Sequence, residues 1–238
     1  MNPRESLLAW LESRLDASAM GWLREKSGRL AAGAGEEVLF PAFSQALRYA
    51  GKDPLQADAA EQSLASTLRP GWDLSSWTRA DAARAALLLS LPPGPAAVSS
   101  ILSLHQTADL GEHVSLARAL FLLPDAVSLM PIAREGIRSN MGDVFAAFAV
   151  RNPYPAEHCD EIAWNQMVAK CLFVDVPLEE VQGLERRANA ALSRMILDLA
   201  RERRAAHRTL SSEAWRCVDP AHAAPEELEL LKRETGHV

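Results

Sequence analysis

The sequence predicts an all-α fold, and three observations carry that expectation. Ile and Thr are scarce beside Ala, Leu, Glu and Arg, and there are only 2 Tyr and 6 Phe, a balance that favours helix over strand. Apolar residues recur at three- and four-residue spacing along most of the chain. Capping residues and prolines punctuate it at helix-length intervals. With 238 residues, 48% of them hydrophobic, there is enough apolar material for a full core. The expected architecture is a single helical domain over residues 1–238, with antiparallel helix pairs forming a HEAT-like α-solenoid. Within it, N-terminal helices occupy 1–70, a helix-pair repeat 71–140, and a polar motif region 141–218. A loosely held tail fills 219–238.

Each helix has its own signal. Asn2, Pro3 and Glu5 fit N-cap, N1 and N3 of a first helix, because the Asn side chain accepts from a free N–H and Pro has none to lose. Leu8, Leu11 and Leu15 give that helix one apolar stripe. A second helix runs near Gly21 to Leu30 and ends at Gly33 and Gly35. A third carries Leu39, Phe40, Phe43 and Leu47, with Pro41 placed in its first turn, and Gly51 to Pro54 breaks it. A fourth holds Leu64 and Leu68 and stops at Pro70 and Gly71. After the two indoles Trp72 and Trp77, Thr78 and Asp81 resemble a capping box, and the helix they start ends at Pro92 and Pro93. Pro95 opens the next, with Val98, Ile101 and Leu102.

A partial repeat links two of these segments. Shifted by 34 positions, Ala83, Arg84, Ala85, Leu88 and Leu89 become Ala117, Arg118, Ala119, Leu122 and Leu123. Helix pairs near this period build stacked solenoids, so Arg84 and Arg118 are expected at equivalent positions. Pro131 kinks or restarts a helix after Asp125. Further helices are expected over Gly142 to Val150, over Asp160 to Phe173, and from an Asn189 cap through Leu192, Met195, Ile196 and Leu199.

Several function classes are disfavoured. The net charge is −6, so nucleic acid, which needs a basic face, is not an expected partner. A mildly acidic surface serves solubility. Cys159, Cys171 and Cys217 follow no CxxC spacing, and an odd count points to a reducing cytoplasm. The first residues read as the start of a helix rather than a signal peptide. The richest apolar stretch, Ala85 to Leu91, is too short to span a bilayer, so a membrane role would be peripheral or through a partner. No GxSxG, Walker or GxGxxG pattern is present, and no Cys has a His partner by spacing. His105, His113, His207, His222 and His237 look like surface or packing residues. No cofactor and no metal are expected.

Three polar constellations stand out. Between Asn152 and Glu161 the chain gathers an amide, the Tyr154 phenol, three carboxylates and the His158 imidazole. Glu157 and Glu161 share a helical face, with His158 three residues before Glu161, and that suggests a metal or acid/base site. Against it, zinc helices offer HExxH and oxygen-rich metal loops need more ligands. The alternative is structural, with Asn152 and Tyr154 tying a Pro-rich turn and Glu157 capping a helix. Next, Trp164, Asn165 and Gln166 lead to Lys170 on one helix, where the amides either orient a ligand or join helices. Finally, Arg186 and Arg187 precede the Asn189 cap. Guanidinium forks there suit a carboxylate or phosphate, or else salt bridges to Glu185 or to the 157–161 segment. Trp72, Trp77, Trp164 and Trp215 either stack a flat ligand or fill core.

Gly142 and Asp143, Asn152 through His158, Trp164 through Met167, and Leu184 through Asn189 together resemble the EboA family. The resemblance is specific from Gly142 to Arg204 and weaker over Trp72 to Asp125. Before that it is only a general helical pattern. It implies a metabolite-traffic protein encoded beside a prenyltransferase-like membrane protein, a sugar-phosphate cyclase-like enzyme, and hydrolase- or isomerase-like enzymes. The implied role is making or moving a small, in some cases lipid-linked, metabolite towards the periplasm. Where Cys159 stands the family pattern has an aromatic residue, where Cys171 stands a small one, and where Arg204 stands a Trp, so thiol chemistry is no part of the implied role. Two readings follow. One is a non-catalytic cytoplasmic adaptor binding a metabolite or pathway proteins, such as that membrane protein, through Asn152, Tyr154, His158, Trp164, Asn165, Gln166, Lys170, Arg187 and Asn189. The other is an enzyme acting on an anionic or sugar-like metabolite through Glu157, His158, Lys170 and Arg187.

Overall fold

The computed structural model describes residues 1–208, 211 and 213–235; His237 lies outside them. The described residues form α1 (Pro3–Glu12), α2 (Ala17–Ala31), α3 (Glu36–Ala50), α4 (Ala59–Leu68), α5 (Arg79–Leu88), α6 (Pro95–Thr107) and α7 (Leu110–Ala119). They continue with α8 (Met130–Arg138), α9 (Gly142–Ala149), α10 (Tyr154–His158), α11 (Glu161–Phe173), α12 (Ala190–Ala205) and α13 (Pro225–Thr235). The fold is all-α: among the described residues there is no strand, only an isolated bridge between Pro54 and Thr78. Four helices start with reciprocal capping boxes, Asn2 with Glu5, Asp58 with Glu61, Thr78 with Asp81, and Asp109 with Glu112. Each satisfies two N–H groups that a helix start would leave unpaired.

The chain folds as two compact units, Met1–Phe148 and Ala149–Val238. In the first, α5 packs against α1, α2, α3 and α7 and is buried from Ala80 to Leu88. Its alanines, at 80, 82, 83, 85 and 86, let neighbouring backbones approach from every side. Arg84, with a side chain 3% exposed, donates from Nε to the Phe43 carbonyl at 3.0 Å and from Nη1 to Ser115 Oγ at 3.1 Å. Its Nη2 lies 3.8 Å from Glu112 Oε1, which accepts from Ser44 Oγ at 2.5 Å. Ser115 also donates to Asp81 Oδ1, and Arg118 to Asp81 Oδ2. Burial lowers the Arg84 pKa from its usual value, opposed by Glu112, Asp109 and Asp81. Nearby, Trp72 is enclosed between Trp10 and Trp77, with ring centroids 5.5 and 5.9 Å away.

Several boundaries differ from the sequence expectations. Arg84 is the sixth residue of α5 and Arg118 the ninth of α7, so the 34-residue shift does not put them at equivalent positions. The two helices start 31 residues apart, at Arg79 and Leu110. The matching letters reflect Ala-Leu-rich composition, and Arg118 bonds the acidic partner of the other helix instead. Pro41 lies inside α3 rather than in its first turn. It is exposed, so water can satisfy the carbonyl that its missing N–H would have paired. Helix α1 ends at Glu12, leaving Leu15 beyond it, and Asp16 caps α2. Pro131 restarts the chain as α8 after Asp125 takes φ +56.

In the second unit α11 packs on α12, and α12 on α13. Within 219–238, expected as a loosely held tail, α13 forms and its Leu231 is 1% exposed.

Candidate functional site

The candidate polar residues fall in the second unit, and most of them bond to one another or to backbone. Asn152 Oδ1 accepts from the Tyr154 N–H at 3.0 Å, closing the Pro-rich turn. Tyr154 is fully buried, its ring 4.7 Å from that of His158. Burial, with a smaller contribution from Cys159, raises the Tyr154 phenol pKa. His158 ends the short α10, with Nε2 3.6 Å from Glu157 Oε2 and no hydrogen-bond partner among the described residues. Cys159 is extended and Asp160 caps α11, accepting from the Ala163 N–H. Glu157 and Glu161 therefore stand on different helices and share no face, and the cap is Asp160 rather than Glu157. The anticipated one-helix carboxylate pair is not formed.

Arg187 faces that turn. Its Nη1 donates to the carbonyls of Cys159 at 2.8 Å, Pro155 at 3.1 Å and Ala156 at 3.4 Å. The Pro155 carbonyl also accepts from the N–H of Cys159, the C-cap residue of α10. The guanidinium also lies over the buried Trp164 indole, 4.9 Å from its centroid. Glu185, offered as a partner for the arginines, pairs with Arg216 at 2.6 Å. Gly183 makes the close approach of this loop feasible. It sits at φ +84, and a Cβ there would come within 2.7 Å of the Ala156 Cβ.

Asn165 is buried on α11 and meets Asn189, the cap of α12. Gln166, the next residue of α11, is exposed. Lys170 is half-buried, and burial lowers its pKa from the usual lysine value. Asn152, Tyr154, His158, Trp164, Asn165, Arg187 and Asn189 are thus linked through the turn and the α11–α12 contact. Trp164 is core, as are Trp72 and Trp77, whereas Trp215 is 42% exposed. Among the described residues no three His, Cys, Asp or Glu side chains gather as a set that would hold a metal ion.

A separate cavity of about 230 Å³ lies in the first unit, where α6, α7, α8 and α9 meet. His105, His113, Glu135 and Arg138 line it with Ile132, Val144 and Phe148. His105 Nε2 is 3.1 Å from Glu135 Oε2, and the ring lies edge-on to His113, 4.7 Å between centroids. His105 Nδ1 is buried with no partner among the described residues. His105 and His113, expected as surface or packing residues, line this cavity. A local signal for it is Gly136, a glycine within a helix, which often marks a close approach. A Cβ at Gly136 would fall 2.0 Å from the Phe148 ring.

The family model described as "Metabolite traffic protein EboA" matches residues 4–219. The chain belongs to the EboA family. No curated protein and no solved structure matches it. The EboA match includes the cavity of the first unit and the polar cluster of the second. The family's description ties the chain to metabolite handling. No helix among the described residues is long and apolar enough to cross a membrane.

Proposed function

We propose that this chain is a non-catalytic helical binding or adaptor protein. It takes part in making or moving a small, in some cases lipid-linked, metabolite towards the periplasm, working from the cytoplasm and reaching the inner membrane through partners. The observation that supports binding over catalysis is the engagement of the motif region's polar groups. Asn165 is tied to Asn189, Arg187 to three carbonyls, and Asn152 to the Tyr154 N–H. A catalytic group must reach a reacting atom, and groups already bonded to their own fold shape a surface instead. Gln166 and Lys170 are the more outward members of the candidate set, and residues 141–218 are the part proposed to meet family-specific partners. Alternate helices α3, α5 and α7 pack in a row, the neighbour relation of stacked helix pairs, so a HEAT-like arrangement of the first unit belongs to the same proposal.

An enzyme acting on an anionic or sugar-like metabolite is the second reading. It is favoured by the His158 Nε2, which makes no hydrogen bond among the described residues and lies 3.6 Å from Glu157, and by the lowered pKa of Lys170. Native mass spectrometry of the protein purified from its own host tests the first. A retained small molecule, or a pathway protein carried along unchanged, supports binding. Conversion of a retained molecule on incubation, lost in His158→Ala, replaces it with the enzyme.

A further inference from the structure

The cavity of the first unit belongs to none of the candidate residues, and its walls divide by chemistry. Ile132, Val144 and Phe148, all buried, form an apolar floor. Gly136 lets the Phe148 ring lie flush against α8, since any side chain there would occupy the ring's place. The rim is polar. Glu135 is engaged by His105, and because a carboxylate only accepts, the ring nitrogen facing it carries the proton. Arg138 gives its Nε to the Arg134 carbonyl at 3.1 Å, one of five N–H donors that a guanidinium holds. The rim therefore offers the Arg138 guanidinium to an anion, while its carboxylate, Glu135, faces His105.

The size limits the ligand. At about 30 Å³ for each water-sized atom, the volume of about 230 Å³ admits about eight non-hydrogen atoms, fewer than a drug-sized molecule has. We propose that this cavity binds a small organic monoanion, a single ring or branched alkyl group bearing one carboxylate. The apolar body lies against Ile132, Val144 and Phe148, and the carboxylate meets Arg138. The inference rests on the binding reading above and gives it a site.

Benzoate and benzylamine, alike in shape and opposite in charge, are the probes, titrated into the full chain and followed by NMR. The expected result is movement of the Val144 and Phe148 signals with benzoate, and affinity about tenfold above that for benzylamine. Arg138→Gln should weaken benzoate about fivefold and leave the melting temperature unchanged, because the residue is exposed. Val144→Trp, which fills the cavity, should remove the response. If that variant does not fold, Arg138→Gln decides. Unmoved Val144 and Phe148 signals, equal affinity for both probes, or an Arg138→Gln variant that binds benzoate like the parent overturns the site. Native mass spectrometry separates the two failures. A host molecule retained by a folded Val144→Trp chain sinks the site and leaves the binding reading intact. A parent chain that retains nothing, yet binds benzoate at Val144, keeps the site and counts against the wider reading.

Discussion

The side-chain amides of Asn165 and Asn189 bond each other twice in opposite senses, Asn165 Nδ2 to Asn189 Oδ1 at 3.1 Å and Asn189 Nδ2 to Asn165 Oδ1 at 2.9 Å. Asn189 Oδ1 also accepts from the Leu192 N–H, and its Nδ2 donates to the Arg187 carbonyl. One residue thus caps α12 and joins it to α11. Asn189→Ala removes the cap and leaves the buried Asn165 amide short of partners, at a combined cost of about 2–4 kcal/mol. Denaturant unfolding of a double-mutant cycle with Asn165→Ala should give a coupling of about 0.5–3 kcal/mol. Additive losses would mean that the pair does not act as a unit.

Arg187→Ala should lower the melting temperature by about 2–4 °C for each kcal/mol lost, as expected for a chain of this size, with a loss of over about 1 kcal/mol. Three carbonyls lose a donor, and Trp164 loses its cover. Arg187→Lys should restore only part, because a point-like ammonium cannot stack on the indole while holding the same fork of bonds. If Arg187→Ala melts like the parent and metabolite delivery fails in cells, the residue serves a ligand rather than the fold.

Arg84→Met should be among the most damaging changes in the first unit, by about 3–5 kcal/mol, since it leaves the buried Glu112 carboxylate without its cation, whereas Asp81 keeps Arg118. Glu112 and Asp81 have side chains only 5% exposed. Arg118→Met should cost less, because its side chain is 21% exposed and solvent screens the loss. Chemical denaturation of both variants orders them, and an equal or reversed order refutes the ranking.

Burial pushes the Cys171 and Cys217 thiols up to about 12 from an ordinary 9.0. Folded chains therefore keep protons that unfolded chains release, so stability is fully present below about pH 9 and falls as pH rises towards 12. Unfolding followed between those limits should show the decline, and Cys171→Ala should flatten it. At pH 8 both thiols should resist alkylation until the chain is denatured; rapid labelling of the native protein would contradict their burial.

Helix existence is legible in this sequence because caps are local. Asn2, Thr78 and Asn189 each act within three residues of themselves, and all three do so where expected. Boundaries are less legible, since Pro41 is tolerated inside α3 only by virtue of facing solvent. The repeat misleads because Ala and Leu recur in any buried helix, while the register is set by the N-caps Thr78 and Asp109. In the candidate site, the residue types are legible and their partners are not. Arg187 bonds main-chain carbonyls, which carry no residue identity. His105 and Glu135 meet across 30 positions, a contact created only when α6 packs near α8.

Helix α5 has no side turned to solvent between Ala80 and Leu88. Its amide hydrogens can be replaced by deuterium only when α1, α2, α3 and α7 separate from it together, since no partial fraying uncovers its middle turn. These few amides are therefore a gauge for the cooperative opening of the first unit. Any ligand that binds the closed form must slow them in proportion to its affinity and concentration. Exchange at α5 thus reports occupancy without a label on the ligand or any knowledge of its identity.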